Sequence, residues 1–124
     1  MRLLIVHPES VFAACVVSEI EKGMGGWLWV PTVSDGLAAA ESRRPRVTLL
    51  HGRSFRDGDE GLLRTAQFVQ AAPAGRVIVV AEDLGAEDVE LALALGAHAV
   101  VDLMDGRALT MLLRGLLGGT RRQV

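Results

Sequence analysis

Lysine, tyrosine and cysteine are almost missing from this chain. Its 124 residues contain one lysine (Lys22), one cysteine (Cys15) and no tyrosine. A single cysteine excludes an intramolecular disulfide. Cys15 lies in the apolar run Phe12–Val17 and is expected to be a buried structural thiol rather than a nucleophile. No apolar run approaches the ~18 residues needed to cross a bilayer, and the N-terminus lacks a signal-peptide layout. The chain is therefore expected to be soluble and cytoplasmic, with no membrane partner. An excess of positive charge is also missing: the formal net charge is −2. The pairs Arg43-Arg44 and Arg121-Arg122 are too small to form a basic patch, so direct nucleic-acid contact by this segment is not expected.

What is present is apolar sequence in short, well-punctuated runs. Half of the residues are hydrophobic, and the length suits one domain with a substantial core. The most telling run is Arg46-Val-Thr-Leu-Leu-His51-Gly52, bounded by Pro45 and Gly52, which reads as a strand buried on both faces. Leu3–Val6 forms an earlier strand, followed by the turn His7-Pro8-Glu9-Ser10. Ser10 is the expected N-cap of a helix running to about Lys22 and stopped by Gly23, with Phe12, Val16 and Ile20 on its apolar face. Trp27 through Val33 gives a second strand, where same-face indoles at Trp27 and Trp29 are expected to pack on the core. Ser34-Asp35-Gly36 opens an Ala-rich helix of about two turns that must end before Pro45.

Residues 52–61 have no apolar period and read as a loop. A helix from about Gly61 to Ala71 comes next, then the strand Arg76–Ala81. Glu87, Asp88 and Glu90 favour the positive end of a fourth helix, which Gly96 closes; Val89, Ala92 and Leu93 are expected to face the core. Ala99–Leu103 is the fifth strand. Asp105 is the expected cap of a last helix reaching about Leu117, with Leu109, Leu112, Leu113, Leu116 and Leu117 as its core stripe. Five strands alternating with five helices imply an α/β fold with a doubly wound parallel sheet in the order 2-1-3-4-5. The domain is assigned to residues 1–118, and 119–124 to a tail or the start of a linker to an output domain.

The pieces Met1-Arg-Leu-Leu-Ile-Val6, Asp35-Gly36, Arg44-Pro45, Ala72-Pro73, Arg76-Val-Ile-Val-Val and Leu95-Gly96-Ala97 resemble, in order and spacing over residues 1–119, a response-regulator receiver domain of the NarL/LuxR type. The resemblance implies a flavodoxin-like fold. It also implies phosphoryl transfer from a histidine kinase to an aspartate on strand three. That chemistry needs acidic Mg²⁺ ligands after strand one, a hydroxyl after strand four and a lysine after strand five. The matching positions carry His7 and Pro8, His51, Ala81 and Leu103, with only Glu9 acidic nearby and Met104 in place of a following proline. The switch aromatic of strand five falls on Val100. The chain therefore resembles a degenerate receiver whose vestigial pocket is His7, Pro8, Glu9, His51, Ala81 and Leu103. Its loop after strand three is about two residues longer than is usual, and its second helix about one turn shorter.

Several uses of that pocket can be weighed. His7, His51 and Glu9, with Asp102, offer donors that suit Zn²⁺ or Ni²⁺, but their spacing matches no ligand motif, so neither a metal nor another cofactor is expected. A catalytic base needs an orienting partner and a substrate site, and the sequence names neither; an enzyme is not expected. A small organic ligand is the alternative, in a pocket of His7, His51, Ala81, Leu103 and Met104 covered by Phe55. For protein contact, Leu91, Leu95, Val100, Met111 and Arg114 form a candidate homodimer face, which the resemblance places on helix four, strand five and helix five. The expected function is a phosphorylation-independent receiver acting by dimerisation, with or without a ligand, on a DNA-binding output domain in the same chain. The alternatives are a stand-alone interaction module and a metal or small-molecule sensor.

Overall fold

Runs of four to six apolar and β-branched residues are too short for helices that could bury them, and they become the sheet. In the computed structural model, which describes residues 1–20 and 25–118, the strands are β1 (Leu3–Val6), β2 (Trp27–Val30), β3 (Val47–His51), β4 (Arg76–Ala81) and β5 (Ala99–Asp102). All pair in parallel, in the order β2-β1-β3-β4-β5. The helices are α1 (Ser10–Ile20), α2 (Val33–Arg43), α3 (Thr65–Ala71, preceded by a 3₁₀ turn Gly61–Arg64), α4 (Ala86–Ala94) and α5 (Ala108–Leu113, continued by a wider turn Arg114–Gly118). This is the doubly wound sheet expected from the spacing, and the flavodoxin-like fold that the resemblance implies.

Because successive strand residues face opposite sides, each inner strand feeds two cores. Leu3 and Ile5 of β1, Val47 and Leu49 of β3, and Ile78 and Val80 of β4 pack with Ala13, Val16 and Ile20 of α1 and Leu109 and Leu113 of α5. Leu4, Val6 and Leu50 turn the other way, onto Val33, Ala39 and Ala40 of α2 and Phe68 of α3. Val79 meets Ala92 of α4 in a third, smaller cluster. The residues that follow β1, β4 and β5, with His51 at the end of β3, then come together at the C-terminal end of the sheet.

The structure departs from the sequence expectations in identifiable ways. The α2 helix has 11 residues, three turns rather than two. It starts at Val33 because the Thr32 hydroxyl accepts the Asp35 N–H at 3.1 Å, so Thr32 is the cap and β2 ends at Val30. Ser10 is the first helical residue of α1 rather than its cap. The end of α1 expected at Lys22-Gly23 and the tail 119–124 lie outside the described residues. Asp105 caps the turn before α5, its carboxylate accepting the Arg107 N–H, and the helix begins three residues later. Cys15 is exposed, since α1 turns Ala13, Val16 and Ile20 inward and leaves Cys15 on the outer flank. Leu93 is 47% exposed: only Ala92 of α4 is fully buried, a small residue that lets the helix approach closely. Trp27 is 45% exposed at the edge strand, whereas Trp29 is partly buried against the α1/α5 core.

Residues 52–60 have structure of their own. Ser54 and Glu60 form an antiparallel bridge, the Phe55 N–H donates to Asp59 at 2.8 Å, and Phe55 itself is buried in the α2/α3 core. The loop returns to the sheet at Gly61, where a Cβ would overlap the carbonyl oxygen of His51 and crowd the Phe55 ring. Gly61→Ala should therefore cost about 3 kcal/mol in urea unfolding, in the range of a forced overpacking. Gly115→Ala, which places its Cβ in open space, should cost nothing measurable.

Candidate functional site

The strand ends converge on two histidines. His7 follows β1 and His51 ends β3; because those strands are adjacent, the ring centroids lie 4.6 Å apart with an interplanar angle of 50°. His7 is only 9% exposed and is held from several sides. Its Nδ1 accepts the Glu9 N–H at 3.0 Å, its ring stacks on Phe12 at 4.2 Å, and its carbonyl accepts the Trp29 indole N–H at 2.8 Å. His51 is half-buried, and Phe55 stands edge-on to it at 5.7 Å. Its Nδ1 is buried with no partner within hydrogen-bonding distance.

Burial is the main reason both rings resist a proton. It pushes the His7 pKa down to about 4, with the neighbouring His51 adding to the shift and Glu9 opposing it. Burial likewise lowers His51, against the opposing pull of the Glu82 carboxylate. At neutral pH the pair is uncharged. Since Nδ1 of His7 already accepts a hydrogen bond, its proton sits on Nε2, and the ring has no free lone pair.

Around the pair lies a cleft of about 720 Å³, lined by His7, Pro8, Glu9 and His51 with Val11, Phe12 and Cys15 of α1, Arg53, Glu82, Asp83 and Leu103. Glu9 is turned to Arg56, 3.0 Å away, and Arg53 to Asp88 at 3.3 Å. Three residues expected at a ligand pocket do not line it. Phe55 anchors the loop from beneath in the α2/α3 core; Ala81, at the end of β4, is fully buried; and Met104 is 71% exposed, its N–H held by the Asp102 carboxylate. Val11, Phe12, Cys15, Arg53, Glu82 and Asp83 do line it, and sequence reasoning missed them. The helical spacing of Val11 and Cys15 (i, i+4) was the one signal that could have placed two of these on a common wall.

Mg²⁺ needs oxygens converging in octahedral geometry; Glu9 is paired with Arg56, and Glu82 and Asp83, which also line the cleft, have no third ligating side chain grouped with them among the described residues. The donors do not fit Zn²⁺ either, because the lone pair of His7 is already used. Among the described residues no three His, Cys, Asp or Glu side chains are grouped to hold a metal. Of the candidate dimer residues, Leu91, Met111 and Arg114 are exposed, while Leu95 and Val100 are half-buried. No helix among the described residues is long and apolar enough to cross a membrane.

No protein-family model matches this sequence, and no curated protein matches it. Solved structures do. A CheY-like response-regulator receiver domain from Methanospirillum hungatei JF-1 superposes with a TM-score of 0.79 at 21% identity, covering 99% of this chain and 98% of that one. The signal receiver domain of a DNA-binding response regulator from Colwellia psychrerythraea 34H gives 0.80 at 18%, covering 95% and 98%. An orphan response regulator from H. pylori gives 0.78 at 15%, covering 94% and 96%. At these identities the likeness is one of fold.

The neutral histidines make a prediction about acid stability. Unfolded, His7 takes up its proton near pH 6.5; folded, it does so only near pH 4. Between those values the unfolded chain binds more protons, so stability is full above pH 6.5 and falls through the window by roughly 3 kcal/mol. Urea unfolding at pH 7 and pH 4.5 should show that loss, and His7→Asn should reduce it; equal losses in both proteins would remove His7 as the cause.

Proposed function

We propose that this chain is a receiver-like regulatory domain, cytoplasmic and non-enzymatic, that takes no phosphoryl group and acts through contacts made by its surface. The observation that carries this reading is the composition of the strand ends. Where phosphoryl transfer needs carboxylates, a hydroxyl and a lysine, this chain has two uncharged imidazoles, a proline, Ala81 and Leu103. A phosphoryl group arriving there would meet the Glu82 and Asp83 carboxylates, with Arg53 already engaged by Asp88. The likeness to receiver folds, one of them of a DNA-binding response regulator and another of an orphan, supports a signalling role; an output domain of the NarL/LuxR kind is proposed from the sequence resemblance. The test is intact mass after incubation with acetyl phosphate and Mg²⁺ beside a phosphorylatable receiver. No added phosphoryl group is expected, and labelling of any strand-end residue would sink the proposal.

Assembly is the second half of this reading. Leu91 is 40% exposed and Met111 67% exposed, on α4 and α5, beyond what the core uses. A standing homodimer through this face gives the domain a way to act without a phosphoryl switch. Light scattering at low micromolar concentration should report a dimer, and Leu91→Arg with Met111→Arg should convert it to a monomer. A wild-type monomer throughout would remove the dimer from the proposal.

A further inference from the structure

The lining of the cleft at the strand ends is of unlike kinds. Part of its wall is apolar: Val11 and Phe12 of α1, and Leu103 after β5. Part is acidic: Glu82 and Asp83, which follow β4. Two arginines lie close by, and Arg53 itself lines the cleft. Arg53 bonds Asp88 and the backbone carbonyl of Asp83, and Arg56 pairs with Glu9. Among the described residues, neither the Glu82 nor the Asp83 carboxylate has a cationic partner.

These features decide what the cleft can hold. An anion meets two unpaired carboxylates. A metal ion finds Glu82 and Asp83 but no third ligand grouped with them among the described residues, with Glu9 paired to Arg56 and the His7 lone pair taken by the Glu9 N–H. An uncharged apolar solute satisfies the apolar part and leaves the acidic part without a counter-ion. A molecule with an apolar body and one positive charge satisfies both, and about 720 Å³ is within the range of small-ligand sites.

We propose that the cleft binds an organic cation, its apolar or aromatic body against Val11, Phe12 and Leu103 and its protonated amine facing Glu82 and Asp83. The inference rests on the reading above, in which the strand-end pocket carries no phosphoryl chemistry, and it names the ligand class that replaces it.

Cys15 supplies the test, since the chain's one thiol is exposed on the cleft wall. Its alkylation by iodoacetamide, followed by intact mass on the full chain, should be slowed about tenfold by millimolar tryptamine. The uncharged isostere 3-propylindole should need roughly ten times the concentration, and indole-3-propionate should not protect. In the variant carrying Glu82→Gln and Asp83→Asn, both exposed positions, tryptamine and 3-propylindole should protect equally. Equal protection by all three probes in the wild type would overturn the proposal. So would a preference for the acid, protection by Mg²⁺ in place of the amine, or no protection by tryptamine. Acetyl phosphate labelling run in parallel separates the two readings. A labelled chain that still binds tryptamine sinks the earlier reading alone, and an unlabelled chain indifferent to tryptamine sinks this one alone.

Discussion

Burial of three adjacent strands on both faces is the constraint on which this molecule depends. β1, β3 and β4 are closed above and below by helices, so water reaches them only at their ends. Each strand end is then a place where the chain leaves a dry sheet within a few ångströms of its neighbours. His7 and His51 come together for this reason: Val6 and Leu50 pair in the sheet, and the next residue of each chain has nowhere else to go. The same constraint makes the site hostile to charge, which is why two imidazoles there remain neutral where either alone in water would titrate near pH 6.5.

Chemistry follows from that environment. In a dry pocket a carboxylate, hydroxyl and lysine can hold a phosphoryl group because each charge answers another. A histidine pair with Phe12 stacked on His7 and Phe55 edge-on to His51 has no such charges to balance, and the surrounding residues are arranged accordingly. Arg56 neutralises Glu9, Arg53 is drawn off to Asp88 and the Asp83 carbonyl, and the loop between β3 and α3 is fastened down by Phe55 and by the close approach at Gly61. What remains unanswered is the acidic part of the lining, at Glu82 and Asp83, in a cleft that is also partly apolar.

Element identity was legible wherever one periodicity ruled a segment. β1 and β4 match the expected runs residue for residue, and the left-handed Gly96 stops α4 where its position predicts. Most of the misreadings share a cause: they concern the side a residue faces, which depends on partners distant in sequence. Cys15 sits in an apolar run, yet the helix turns by its majority and leaves it outside. Phe55 lies in a polar loop that reads as a lid, yet the largest apolar group in that loop is pulled under it into the core. The start of α2 is a local exception: it lies at Val33, one residue before Ser34, because the Thr32 hydroxyl reaches the free N–H of Asp35.

By itself the sequence determined the strand runs, the βα alternation and hence the sheet order, because periodicity and turn chemistry act over a few residues. It also placed His7 and His51 at the ends of adjacent strands. Only the tertiary structure decided the state of the side chains there. The His7 tautomer depends on one backbone N–H, its neutrality on burial beside His51, the pairing of Glu9 on an arginine 47 positions away in the chain, and the cleft's lining on α1 and the loop after β4. Protonation, tautomer and ion pairing are set by distance and dielectric, and those exist only once segments remote in sequence have been packed together.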